Sequence, residues 1–143
     1  MPNPHGNTDK TDLDVIIKAT QNGNGIDYEL DIKKHGSHGK IALPKDSGPY
    51  KIKFKLDTHL DLRFDAAAPF HCVKDDGSCP KTLDSEQIMV SRCDKDELVV
   101  VDWNYGCEQD LRYQINFVDK CGQRREPLDP IIQNGGGIKP GVA

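Results

Sequence analysis

Successive side chains of a β-strand point to opposite faces, so a half-buried strand alternates apolar and polar residues. This chain repeats that alternation along much of its length. Tyr50, Ile52, Phe54 and Leu56 alternate with Lys51, Lys53 and Lys55. Leu60, Leu62 and Phe64 alternate with Asp61, Arg63 and Asp65, and Leu111, Tyr113, Ile115 and Phe117 with Arg112, Gln114 and Asn116. Ile26, Tyr28, Leu30 and Ile32 oppose Asp27, Glu29, Asp31 and Lys33. Leu13, Val15, Ile17 and Ala19 follow the same rule, with Ile16 as an apolar exception.

No long segment has the three- and four-residue spacing of an amphipathic helix. Strands with one apolar and one polar face belong to antiparallel sheets covered on one side. With no helix to cover them, the cover must be a second sheet. The expected fold is therefore all-β, a two-sheet antiparallel sandwich of about seven to nine strands. An immunoglobulin-like Greek key is the favoured architecture, with a jelly roll or small β-barrel as alternatives. That label is architectural and assigns no function.

Turn chemistry and face matching place the connections. A three-residue loop at Asp57-Thr58-His59 would set Leu56 opposite Leu60, Phe54 opposite Leu62 and Ile52 opposite Phe64, apolar against apolar. The Asn22-Gly23-Asn24-Gly25 turn joins the first two strands. Inward residues are odd-numbered before it and even-numbered after it, which points to a bulge or to strands in different sheets. Leu98 to Val101 is apolar on both faces, the pattern of a central strand, with Trp103 as a core filler at its end.

A chain of 143 residues with 36% apolar residues suits one domain and one core. Residues 1–11 read as a flexible arm, 12–126 as the sandwich, and 127–143 as an edge strand followed by a Gly-rich tail. No apolar run approaches the roughly 18 residues of a membrane span. The 19 basic and 23 acidic residues give a net charge of −4, which argues against a general nucleic-acid binder. The polar start lacks a secretory leader, so a cytoplasmic location, or leaderless export, is expected.

Candidate sites are few. With five cysteines, at least one has no partner within a monomer. A Cys79–Cys93 bridge would stabilise an oxidised chain by about 3 kcal/mol, whereas reduced thiols would pack as small apolar groups. Cys107 is a candidate leftover thiol. His71, Cys72, Asp75 and Asp76 could contribute to a zinc or calcium site, zinc also drawing on Cys79 and Cys93. The paired CxxC spacing of zinc sites is missing, and Asp75-Asp76-Gly77-Ser78 also reads as an ordinary β-turn. The Lys51, Lys53 and Lys55 stripe could meet an acidic partner, but Asp61 and Asp65 on the next strand would neutralise it.

The chain has no GxSxG, HExxH, P-loop or dinucleotide fingerprint, and no cofactor beyond zinc or calcium suggests itself. The leading expectation is a non-enzymatic interaction or assembly module. Its partner would be a protein, including further copies of itself, with Ile131 and Ile132 of the tail adding a strand to a neighbour's open edge. The alternative is a small-ligand or metal-binding module using loops at one end of the sandwich. A hydrolase would need a cleft with two perturbed titratable groups.

Overall fold

The computed structural model describes residues 11–34, 36–37, 40–45, 49–73, 88–104, 109–128 and 131–134. In chain order the strands are β1 (Thr11–Asn22), β2 (Gly25–Ile32), β3 (Gly36–Ser37), β4 (Lys40–Leu43), β5 (Tyr50–Asp57) and β6 (Arg63–Phe64). They continue with β7 (Phe70–Val73), β8 (Ile88–Cys93), β9 (Glu97–Asp102), β10 (Gln109–Ile115), β11 (Phe117–Val118) and β12 (Ile131–Asn134). No helix occurs among the described residues, so the chain is all-β. One five-stranded sheet has the order β2-β1-β5-β9-β8, a second has β3-β4-β12-β10-β7, and β6 with β11 forms a short ribbon.

The alternating residues build a single core between these layers. Leu13, Val15, Ile17, Ile52, Phe54, Leu98 and Val100 of the first sheet pack with Ile41, Leu43, Phe70, Tyr113 and Ile115 of the second. The Tyr113 ring lies 5.9 Å from Phe54 and 4.9 Å from Phe70, centroid to centroid. At the ribbon, Phe117 stacks between Phe64 at 5.3 Å and Tyr28 at 5.2 Å. Fully burying one such side chain contributes about 1.5–3 kcal/mol, and aromatic pairing adds about 0.5–1.5 kcal/mol.

The sheets are mixed where antiparallel ones were expected. β1 runs parallel to β5, with Val15 beside Phe54, and β12 runs parallel to β4. Parallel neighbours need a crossover of about a dozen residues or more. The chain between β1 and β5, which passes through β2, β3 and β4, supplies one. Alternation sets which face of a strand is wet and leaves its direction open.

The expected hairpin between β5 and Leu60–Phe64 does not form. Both edges of β5 are taken, by β1 and by β9, where Ile52 meets Val100 and Phe54 meets Leu98. Directly after β5, the Thr58 hydroxyl donates to the Ala19 carbonyl at 2.8 Å and accepts the Leu60 N–H at 3.0 Å. These bonds turn the chain out of the sheet, and Phe64 pairs with Phe117 in the ribbon.

The Gly23-Asn24 connection also corrects the sequence reading. It is a plain two-residue hairpin in which Asn22 pairs with Gly25, so odd residues of β1 meet even residues of β2 and both apolar rows share a face. Gly23 has φ 60° while Asn24 keeps a negative φ, the pattern of a type II′ turn. By contrast, β9 is central as expected. It lies between β5 and β8, and Leu98, Val99, Val100 and Val101 are all buried, as is Trp103 just beyond.

Candidate functional site

Of the expected metal ligands, His71 and Cys72 fall within the described strands. They lie in β7, in register with Gln114 and Tyr113 of β10. Asp75, Asp76, Cys79 and Cys107 lie outside the described residues. No group of three or more His, Cys, Asp or Glu suited to a metal ion occurs among those described. Cys93 carries a free, half-buried thiol. Burial first, then the charges of Asp94 and Asp65, pushes its pKa up and keeps it protonated, which suits packing better than nucleophilic chemistry.

The lysine stripe is matched within its own sheet, by residues other than those expected. Asp12 and Asp14 of β1 stand beside Lys51 and Lys53, with Lys53 Nζ 3.5 Å from Asp12 Oδ2, and Lys55 faces Glu97 of β9. Asp61 is instead engaged by the Lys120 N–H at 3.1 Å. Asp65 is buried and accepts the Ala67 N–H at 3.0 Å.

A polar cleft of about 340 Å³ opens beside Thr58, Asp61, Arg63 and Lys95. Its walls are a structural seam: the Leu56 N–H donates to the Asp96 carbonyl at 2.9 Å, and the Phe64 N–H to that of Lys95 at 3.0 Å. A second polar cluster, which alternation did not reveal, lies where β9 ends. Asp102 is fully buried and its Oδ1 accepts the Asn104 N–H at 2.9 Å. Asn104 adopts φ 50°, a left-handed conformation Asn tolerates, and its Nδ2 donates to the Pro44 carbonyl at 2.9 Å. This cluster ties the end of β9 to the end of β4.

The tail strand β12 lies between β4 and β10, paired on both sides, where an edge strand was expected. Ile131 pairs with Arg112, and Ile132 with both Leu111 and Ile41. Among the described residues, the backbone edges of the two sheets belong to other strands. In the second sheet they are β3, of two residues, and β7, of four. In the first sheet one edge is β8, whose pairing is broken by a bulge between Val90 and Arg92. Short or bulged edges are ordinary protection against unwanted pairing.

The remaining edge, β2, is eight residues long and pairs with β1 without interruption. In an antiparallel ladder closed by the Asn22–Gly25 pair, odd residues of β2 point their N–H and C=O groups at β1. The Lys33 N–H, donating to the Asp14 carbonyl at 3.2 Å, confirms this phase. The backbone groups of Ile26, Tyr28, Leu30 and Ile32 therefore point away from the sheet. Glu126 covers one end, where its Oε2 accepts the Ile26 N–H at 2.7 Å and its carbonyl accepts the Tyr28 hydroxyl at 2.5 Å. Burial, then the Glu126 charge, pushes the Tyr28 phenol up to about 12 and keeps this donor protonated.

Beyond Tyr28 the edge carries two distinct rows. Tyr28, Leu30 and Ile32 pack against the core but are only partly buried. Asp27 and Glu29 are exposed on the other face, and Asp31 beside them bonds Lys33 at 2.9 Å. The edge thus offers outward backbone groups, an apolar row short of full cover and an acidic row. No protein-family model matches the chain, nor does any curated protein, so the functional reading rests on this geometry.

Proposed function

We propose that the chain is a non-enzymatic interaction module that recruits a partner protein by strand addition along the outer edge of β2. The observation that carries this is the length and regularity of that edge, with outward backbone groups from Tyr28 to Ile32 beside a half-covered apolar row. An added strand would satisfy the backbone groups and finish covering Tyr28, Leu30 and Ile32, so hydrogen bonding and apolar burial act together. Assembly of copies through the terminal segment is the other form of this proposal. It requires β12 to leave its place between β4 and β10 and fill the same place in a neighbour, a strand exchange. We also retain the immunoglobulin-like Greek key as the architectural proposal, supported by the non-sequential strand order of both sheets.

Amide hydrogen exchange tests the β2 edge directly. In the protein alone, the Tyr28, Leu30 and Ile32 amides exchange faster than those of Glu29 and Asp31, which face β1. A bound partner slows all three. A partner that binds stoichiometrically and leaves these amides unprotected would sink the proposal.

A further inference from the structure

We infer that the partner segment is basic and alternating: apolar residues on one face, Lys or Arg on the other, added to β2 as a sixth strand of the first sheet. This rests on the strand-addition proposal above and adds the chemistry of the occupant. Neighbouring strands lie about 4.8 Å apart, so an added strand sits about that far from β2 and about twice as far from β1. On the core side, its apolar residues would meet Tyr28, Leu30 and Ile32. On the solvent side, its residues would stand beside Asp27, Glu29 and Asp31.

Among the described residues, Lys18, across from Glu29 in β1, and Lys33, bonded to Asp31, compete for those carboxylates. Asp27 receives a neutral donor, Asn22 Nδ2 at 3.0 Å. Asp27 and Glu29 therefore carry the selection. An incoming cation feels the β2 carboxylates at one strand spacing and Lys18 at two. With a Debye length of about 8 Å, attraction to one such carboxylate exceeds repulsion from Lys18 roughly three- to fourfold. The same row disfavours a second copy as occupant. Antiparallel pairing of β2 with β2 would set carboxylates opposite carboxylates, and cross-strand like charges are destabilising.

The probe is a capped, labelled peptide alternating Lys with Val, compared by fluorescence anisotropy with the same peptide carrying Glu for Lys. A third peptide is the Lys form N-methylated at alternate amides, in two versions with opposite phase. The protein variants are D27K/E29K on the surface and Leu30→Pro, which removes an outward N–H. The Lys peptide is expected to bind, the Glu peptide to bind about tenfold more weakly, and D27K/E29K to reverse the order. In about 1 M salt, where the Debye length is about 3 Å, the difference should collapse. Leu30→Pro, and one methylation phase but not the other, should abolish binding.

If the Glu peptide binds as well as the Lys peptide and is lost in Leu30→Pro, the basic partner is wrong while strand addition stands. If neither peptide binds, or if binding is indifferent both to methylation phase in the Lys peptide and to Leu30→Pro, both fall. A dimer in sedimentation that Leu30→Pro dissolves would replace the basic segment by a second copy.

Discussion

Replacing Tyr113 by Phe should stabilise the protein, the opposite sign to most core substitutions. The Tyr113 side chain is 1% exposed, and its hydroxyl has no hydrogen-bond partner among the described residues. A buried hydroxyl left unsatisfied costs about 1–3 kcal/mol. Removing one oxygen preserves the ring contacts with Phe54 and Phe70. The small void it leaves costs a few tenths of a kcal/mol, at about 24 cal/mol per Å³. The net gain is about 1–2 kcal/mol, a rise in Tm of roughly 3–6 °C for a chain of this size. Urea denaturation at neutral pH, followed by circular dichroism, measures it. A lower stability for Tyr113→Phe with an unchanged m-value would show that the hydroxyl is bonded, and would refute the reasoning.

The same residue fixes a pH dependence. Burial first, and then the Asp102 charge, holds the Tyr113 pKa well above its ordinary value of 10.0. Above pH 10 the unfolded chain loses a proton that the native state keeps. Native protein then binds more protons than unfolded protein, so stability falls as pH rises, by up to about 1.4 kcal/mol per pH unit for the group. Tyr113→Phe lacks this contribution, and its advantage over the parent protein should widen above pH 10. A constant difference from neutral pH to strongly alkaline pH would contradict the assignment.

Three further perturbations test the framework of the edge and the sheets. Glu126→Ala uncovers the Ile26 N–H and should cost about 1 kcal/mol; faster amide exchange at Ile26 is the specific readout. Gly23→Ala forces a side chain onto a φ of 60° and should lower stability by about 1 kcal/mol, read from the urea midpoint. Deleting residues 129–143 removes β12 from between β4 and β10 and opens two facing edges. The truncated chain should unfold at a markedly lower temperature and aggregate in size-exclusion chromatography, and a monomer with an unchanged Tm would show that β12 is dispensable.

Face assignment was legible in the sequence because burial acts on each residue locally. Val15, Ile17, Ile52, Phe54, Tyr113, Ile115 and Phe117 were all placed inward by alternation, and all are buried. Val99 and Val101 broke the alternation because β9 is covered on both faces. Pairing was much less legible. Phe54 satisfies face matching against Leu62 in the rejected hairpin and against Leu98 in the observed pair. The choice between them depends on Thr58 turning the chain away toward Ala19, a bond between residues far apart in sequence. At the Asn22–Gly25 hairpin the parity change has a simpler meaning than a bulge: a loop of two residues itself exchanges odd for even, so it marks a tight turn.

The candidate site was hidden for the same reason that pairing was. Alternation tells a strand which face is wet, but a free edge is a property of the whole sheet. The acidic row of Asp27, Glu29 and Asp31 looks in sequence like the lysine row of β5, yet their surroundings differ. β5 is interior, and its lysines have Asp12 and Asp14 on one side and Glu97 on the other. Among the described residues β2 has β1 on one side only, so its carboxylates lack there the second flank that β5 has. Extending the sheet by one strand would repeat across β2 the opposition already built between β1 and β5. A charged row that is balanced in the interior and half-balanced at the rim is where a sheet of this kind can distinguish one incoming strand from another.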